Sequence, residues 1–367
     1  MSIKLFGARS LGSAIAAHDN GFNLVRLAAA LLVVVYHACQ LNTIHPGSLD
    51  PITRIVSPVT DLGQIAVSVF FMISGLFVAQ SWTRDPSLIR FMLRRMTRIV
   101  PGLLVCLLLT TLVAVCFFSD AGWRGIFSSE PWQYIFRNAV LHWLAYLIPP
   151  EHLSITGVLS GQALNGPLWT LYWEARMYIV LALIGCSAIL PMREWLRVVA
   201  IFLLLSANLI PQVLSGYIWE VPLWSCFLVG VLLNTLADKI NIGPQHLACA
   251  VILLALNWTR SAAITPSGFT WFGIALVCCT LALWVGTSRP VACVHFQKHD
   301  YSLGVYIYHW PVILMLRAAL PPLNEIGLFV AAIIVVLPLS ILSWHLIEAP
   351  SLKWIRKNLR SDQARYV

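Results

Sequence analysis

Long apolar runs separated by short polar segments repeat along almost the whole chain. Most runs hold about twenty residues, the length that an α-helix needs to cross the hydrocarbon core of a bilayer. We therefore expect an all-α polytopic membrane protein that forms a single domain over residues 1–367. About ten transmembrane helices are predicted, at residues 22–41, 62–82, 99–118, 167–190, 196–213, 217–236, 246–259, 269–287, 302–320 and 325–347.

The basic residues between the runs indicate how the chain is oriented. If residues 1–21 are a cytoplasmic segment, seventeen lysines and arginines fall in segments that face inward or at the inner end of a run, and four fall in segments that face outward. Positive residues accumulate on the cytoplasmic side of membrane proteins. The distribution predicts that both termini are cytoplasmic and that residues 349–367 form a basic tail.

Composition supports a membrane protein and argues against other classes. Hydrophobic residues make up 59% of the chain and charged residues 11%, and the mean hydropathy is +0.80. Soluble globular domains contain a smaller fraction of hydrophobic residues and a larger fraction of charged residues. The formal net charge of +9 is then mainly an orientation signal and not a sign of nucleic-acid binding. The nine cysteines contain no Cys-x-x-Cys pair, so we expect neither a disulfide framework nor a metal site.

Arg26 and His37 lie in the first apolar run, eleven residues apart. Eleven residues are close to three helical turns, so the two side chains share a face and are about 16 Å apart along the axis. Ionisable groups inside a membrane helix are costly and usually mark a functional path. Two structural explanations stay open. His37 could bond to a neighbouring helix, and Arg26 could extend towards the inner surface.

Glu174 lies in the fourth run, about 10 Å from its outer end and thus at a depth similar to that of His37. A carboxylate beside an imidazole fixes the tautomer and stabilises the imidazolium, as a general base requires. A purely structural ion pair with Arg176 or Arg26 is the alternative.

Arginines cluster at the predicted inner end of the third run. Arg90, Arg94 and Arg98 follow one another at intervals of about one helical turn, and Arg95 lies beside Arg94. Such a cluster can orient the helix and contact anionic lipids. Guanidinium groups also bind phosphate in a bidentate manner, so a phosphate-bearing cofactor is the second interpretation.

His309 lies in the ninth run. Its position predicts that the side chain is in the inner third of the membrane, not far from Arg26.

In this order and with these spacings, the motifs resemble the acyltransferase-3 family of bacterial membrane-bound O-acyltransferases over nearly the whole chain. Leu303 and Met177 depart from the family pattern, which often has tyrosine and phenylalanine there, and we interpret both as packing changes. The matching segments are Arg26-x10-His37, Phe70-Phe-Met-Ile-Ser-Gly75, Arg94-Arg95-x-x-Arg98-Ile-x-Pro101, Leu168-Trp-Thr-Leu-x-x-Glu174, Ser302-x-Gly304-x-Tyr306-x-x-His309-x-Pro311 and Glu348-x-Pro350.

The resemblance implies transfer of an acetyl group from cytoplasmic acetyl-CoA to a hydroxyl of an extracytoplasmic glycan, such as an exopolysaccharide, O-antigen or lipid-linked oligosaccharide. It implies a multi-pass protein of the bacterial inner membrane, of the standalone type without the SGNH-hydrolase-like domain of many relatives. Expected partners are acetyl-CoA, the glycan or glycolipid acceptor and membrane lipids, with no nucleic acid and no metal. Homo-oligomer formation stays open.

The expected site residues follow from the same motifs. His37 is the general base, and Glu174 and Arg26 are the other catalytic residues. A covalent acetyl-His37 intermediate is the alternative chemistry. The residues expected to bind acetyl-CoA are Arg26, Arg94, Arg95, Arg98, Tyr306 and His309.

A different class of function also fits intramembrane arginine, histidine and glutamate, namely a proton-coupled transporter or a flippase of a glycan precursor. The chain shows no inverted repeat, and its basic residues cluster on one side as a phosphate ligand requires. A structural partner of a polysaccharide-export complex is a third alternative, and it would not depend on acetyl-CoA.

Overall fold

The computed structural model describes residues 10–16, 20–57, 59–140, 154–186, 194, 221–261, 268–288 and 299–365. These residues form helices and contain no strand, as the apolar runs predict. The helices are α1 (Leu11–Ala16), α2 (Phe22–Leu41), α3 (Pro51–Val56), α4 (Leu62–Arg84), α5 (Leu88–Phe118), α6 (Ser129–Val140), α7 (Leu168–Cys186), α8 (Val221–Thr235), α9 (Pro244–Ser261), α10 (Gly268–Thr287), α11 (Ser302–Ala319), α12 (Glu325–Ser343) and α13 (Ala349–Arg365).

Four of the described helical segments are long and apolar enough to cross a membrane, which agrees with a helical membrane protein. They are Phe22–Leu41, Leu62–Arg84, Leu88–Phe118 and Glu325–Leu359. Three further apolar helices are shorter, at Leu223–Thr235, Pro244–Leu256 and Gly273–Thr287. The predicted span 196–213 and the first residues of span 217–236 lie outside the described residues. The number of spans and the side of the termini stay predictions.

Helix α5 begins earlier than the apolar pattern predicts. It starts at Leu88 and not at residue 99, and it runs for 31 residues. Arginine is a good helix former, and its aliphatic stem can cover apolar surface while the guanidinium stays solvated. The basic segment is therefore the first part of the same helix, and the arginines project from a regular helical face.

The chain forms two compact units. The first comprises Met1–Leu32, Pro51–Pro86 and Val180–Asp300. Within it α4 packs closely against α8, and a Cβ atom at Gly75 or Gly230 would overlap the backbone of the facing helix. Small residues allow membrane helices to approach each other in this way. Close helix packing is therefore a structural reason for the glycine in the Phe70–Gly75 motif.

The second unit comprises Val33–Asp50, Ser87–Ile179 and Tyr301–Val367, and α11 is its buried central helix. Pro311 lies inside α11. Because proline has no N–H, the carbonyl of Ile307, four residues earlier, loses its helical partner. That carbonyl accepts a hydrogen bond from Nδ2 of Asn165 at 2.8 Å and one from Sγ of Cys106 at 3.3 Å. These bonds tie α11 to α5 and to the segment before α7.

Candidate active site

His37 and His309 lie against each other in the second unit. Nδ1 of His37 is 2.8 Å from Nε2 of His309, and the two rings are nearly parallel with centroids 5.0 Å apart. His309 is fully buried. The ring of Trp310 meets that of His37 edge-on at 4.8 Å. The sequence analysis predicted His309 at the depth of Arg26, whereas its partner in the structure is His37, eleven residues further along α2. That prediction counted membrane depth from the first residue of each helix, which assumes that all helices begin at the same level.

The hydrogen bonds of His309 assign the protons of this pair. Nδ1 of His309 is 2.6 Å from the backbone carbonyl oxygen of Tyr306, which can only accept, so Nδ1 carries the proton. In the neutral ring Nε2 is then the acceptor, and Nδ1–H of His37 donates to it. The free lone pair of His37 is consequently on Nε2. This is the protonation state that a general base needs.

Glu174 binds Tyr178, one turn further along α7. The phenol of Tyr178 donates to Oε1 of Glu174, as residues four apart on a helix can do. The carboxylate is also close enough to Arg95 and Tyr306 to interact with them electrostatically. We expected Glu174 to orient His37, but the partner of Nδ1 in the structure is His309. A catalytic role of Glu174 stays a prediction.

Tyr306 supports the histidine pair from two directions. Its carbonyl holds Nδ1 of His309, and its hydroxyl is 2.6 Å from Oγ1 of Thr170 at the start of α7. The same hydroxyl donates to the carbonyl of Pro167 at 3.2 Å. Tyr306 thus fixes α11 relative to α7 at the level of the site.

Arg98 lies beside a buried glutamate that the sequence analysis did not place in the site. Its Nη1 is 3.8 Å from Oε2 of Glu348, and its guanidinium lies over the ring of Trp344 at 5.5 Å. Glu348 is 1% exposed and accepts a hydrogen bond from Ser343 at 2.9 Å. It ends a π-helical segment, Trp344–Glu348, and such segments often occur at functional sites. The signal in the sequence was the Glu348-x-Pro350 motif.

Arg95 connects the arginine cluster to Glu174. Its guanidinium lies over the rings of Phe91 and Tyr178, 5.8 Å from each centroid. The Nε atom of Arg95 is buried and has no hydrogen-bond partner in the part of the chain that the structure describes. A donor of this kind suits an anionic oxygen, which agrees with the second interpretation of the cluster, a phosphate-bearing ligand.

Arg26 forms an ion pair in the first unit. Its Nη1 is 3.1 Å from Oδ2 of Asp300, and the two side chains are 23% and 7% exposed. Asp300 was not predicted from the sequence, although this residue directly precedes the Tyr301–Pro311 motif segment.

Arg176 stacks on Tyr172 and Trp173, with its guanidinium 4.1 Å and 4.6 Å from their ring centroids.

Known proteins resemble this chain over nearly its full length. The acyltransferase-3 family, described as an acyltransferase domain, matches residues 19–345. An "O-acetyl transferase" of Shigella phage Sf6 is 28% identical over 339 residues, which cover 90% of this chain and 95% of that protein. "Nodulation protein 10" of Rhizobium leguminosarum bv. viciae is 26% identical over 375 residues, which cover 92% of this chain and 94% of that protein. No solved structure matches the chain.

Proposed function

This chain belongs to the acyltransferase-3 family and is a membrane acyltransferase, and from that premise we propose that it moves an acetyl group from acetyl-CoA to a hydroxyl of an extracytoplasmic glycan. The named O-acetyl transferase among its relatives supports the choice of acetyl. The observation that carries the proposal is the contact between His37 and His309, which leaves Nε2 of His37 ready to accept a proton. We place the enzyme in the bacterial inner membrane.

In the proposed reaction His37 acts first. Its Nε2 removes the proton of the acceptor hydroxyl while that oxygen attacks the carbonyl carbon of the thioester. The carbon–sulfur bond breaks, and the leaving sulfur takes the proton from the His37 imidazolium, which gives an O-acetyl ester and free CoA. His309 keeps the Nδ1–H of His37 engaged throughout, so the ring stays oriented and its positive charge is stabilised.

Acetyl-CoA supplies the activated acyl group, and the arginine cluster Arg94, Arg95 and Arg98 binds its phosphates in this proposal. Arg98 lies over the ring of Trp344, and Trp344 in turn meets Tyr301 at the start of α11 with ring centroids 6.4 Å apart. From Tyr301 to His309 the helix rises about 12 Å. We propose that the pantetheine arm follows this line, which brings the thioester to His37.

The proposed function is tested by incubating the purified protein in detergent with acetyl-CoA and measuring free CoA. The acceptor is oligosaccharide from the producing cell's own surface polysaccharide, freed of ester-linked acyl groups with alkali. Release of CoA that depends on this acceptor supports the proposal. Proton-driven uptake of the glycan into vesicles without CoA release would support the transporter instead.

Substitution of Arg95 or Arg98 by glutamine should raise the KM for acetyl-CoA by about 10–100-fold, because each loses a charge-assisted hydrogen bond to a phosphate oxygen. The KM for acetyl-pantetheine, which has no phosphate, should stay within about twofold of the wild-type value. The measurement is the initial rate of thiol release with either thioester. Arg84→Gln, at the exposed end of α4 and outside the motif, is the matched control. Equal losses with both thioesters would show that these arginines do not bind the phosphates.

The ion pair of Arg26 permits a test of its predicted role in acetyl-CoA binding. Arg26→Met and Asp300→Leu should each reduce stability by about 3 kcal/mol, because each removes one partner of a largely buried ion pair. The double variant should recover much of this loss. If Arg26 contributes to acetyl-CoA binding, the double variant still has weak affinity in equilibrium dialysis. Recovery of both stability and affinity would assign Arg26 a structural role alone.

A further inference from the structure

Trp310 occupies the position between the histidine and the proline of the His309-x-Pro311 motif, and the proposed reaction gives it no role. It follows His309 directly on α11 and is only partly buried. The centroid of its indole ring is 4.8 Å from that of the His37 ring, with an angle of 90° between the two planes. Trp310 is therefore a direct neighbour of the proposed base.

A second set of contacts holds the indole against the segment that leads into α7. Nε1–H of Trp310 donates a hydrogen bond to the carbonyl oxygen of Ala163 at 2.8 Å. The six-membered ring of the indole lies against Gly166, where a Cβ atom would be only 3.1 Å from Cζ2 of Trp310. A side chain at this position would therefore displace the indole. One hydrogen bond and one close contact thus fix the place of the ring.

The segment that holds the indole is itself tied to α11. Nδ2 of Asn165 donates to the carbonyl oxygen of Ile307 at 2.8 Å, and the hydroxyl of Tyr306 donates to the carbonyl oxygen of Pro167 at 3.2 Å. Together with the bond from the indole N–H, these hydrogen bonds connect residues 163–167 to α11. The segment therefore keeps a fixed position relative to the helix that carries both the indole and the partner of the base.

His309 restrains the His37 ring in one direction. The two ring planes differ by only 13°, and their centroids are 5.0 Å apart while the bonded nitrogens are 2.8 Å apart. The nitrogens therefore point at each other, and the hydrogen bond lies close to the plane of both rings. One hydrogen bond of this kind still allows the imidazole to rotate about the line of the bond.

Trp310 restrains the same ring in a different direction. Its indole stands perpendicular to the imidazole at contact distance, so it opposes rotation about the hydrogen bond to His309. Perpendicular contacts of this type are a favoured arrangement of aromatic rings. With the bond on one side and the indole on another, Nε2 of His37 keeps a single direction.

We propose that Trp310 is a positioning residue for His37, an inference that rests on the function proposed above. The indole holds the imidazole in the orientation in which Nε2 faces the acceptor hydroxyl, whereas His309 fixes which nitrogen carries the proton. A general base must lie within hydrogen-bond reach of the proton that it removes. A displacement of about 1 Å can reduce the rate about 10²-fold. Glycine at position 166 leaves the room that the indole needs.

The first test compares Trp310→Leu with Trp310→Phe by steady-state kinetics with acetyl-CoA and the alkali-treated surface oligosaccharide. Leucine removes the flat ring and the N–H donor, so kcat should fall about 10–100-fold. Phenylalanine keeps a flat ring beside His37 and should recover about threefold or more of that loss. Both KM values should stay within about threefold of the wild-type values. Trp354→Phe, at an exposed position of α13, is the matched control and should leave kcat unchanged.

Gly166→Ala is a second test, which leaves the indole itself intact. Its methyl group displaces the indole and should lower kcat about tenfold. Phenylalanine at position 310 lacks the outer ring atoms that this methyl group meets. In the Trp310→Phe background, Gly166→Ala should therefore lower kcat by less than about twofold, because two changes that act through one contact are not additive.

Several results would overturn the inference. Unchanged kcat in Trp310→Leu would do so, as would equal effects of Gly166→Ala in the two backgrounds. A higher oligosaccharide KM at unchanged kcat would show that the indole binds the acceptor and does not orient the base. Equal kcat losses in Trp310→Leu and Trp310→Phe that only follow lower thermal unfolding midpoints would assign Trp310 a folding role alone. Absence of wild-type turnover would instead refute the proposed function.

Discussion

Replacement of His37 by alanine should abolish acetyl transfer and leave acetyl-CoA binding intact. The variant loses the only group in the proposed mechanism that accepts the hydroxyl proton, and general base catalysis contributes about 10²–10⁴-fold to rate. We expect turnover to fall by at least this factor, while the dissociation constant for acetyl-CoA in equilibrium dialysis changes by less than about threefold. His45→Ala is the matched control, because this exposed histidine follows the same helix and should be dispensable.

Two results would contradict this account of His37. Turnover within about tenfold of the wild type would exclude it as the base. Label that survives acid quenching on the wild type after incubation with labelled acetyl-CoA, and is absent from His37→Ala, would replace direct transfer by an acetyl-His37 intermediate.

Removal of the His309 imidazole should reduce kcat by about 10²–10⁴-fold and leave the KM for the acceptor nearly unchanged, because His37 would lose the partner that fixes its tautomer. His309→Leu removes the acceptor for Nδ1–H of His37, and His309→Gln retains one in Oε1. We expect the glutamine variant to recover part of the lost kcat. The measurement is the ratio of the kcat values of His309→Gln and His309→Leu, compared after the two variants are shown to have equal thermal unfolding midpoints.

A purely structural role of His309 predicts a different pattern. Leucine and glutamine would then lower kcat equally, in proportion to the loss of folded protein. That result would remove His309 from the mechanism as a positioning residue and leave His37 without an identified partner.

The helical character of the protein could be predicted because apolar runs of membrane-spanning length have few alternatives to a helix. The start of α5 could not be predicted from the apolar pattern. The segment from Leu88 to Arg98 is too basic for an apolar run, yet its arginines extend the helix. The close packing at Gly75 and Gly230 also lies beyond a pattern of apolar positions, since it depends on which helices are neighbours.

The individual site residues were easier to predict than their partners. An ionisable residue in an apolar run is conspicuous, so His37, Glu174 and His309 could be singled out from the sequence. Which of them meet depends on the tilt and level of each helix. The depth estimate therefore paired His37 with Glu174, whereas the structure pairs it with His309. Asp300 was overlooked because a carboxylate outside an apolar run carries no such signal.

Transfer of an acetyl group by His37 is the central claim, and the mass of the product glycan tests it most directly. Purified wild-type protein and His37→Ala are incubated with acetyl-CoA and the alkali-treated surface oligosaccharide, and the oligosaccharide is analysed by mass spectrometry. The account predicts that the wild type adds acetyl groups that mild alkali removes, and that the variant adds none. Acetylation by both proteins, or a wild-type product that never gains an acetyl group, would contradict it.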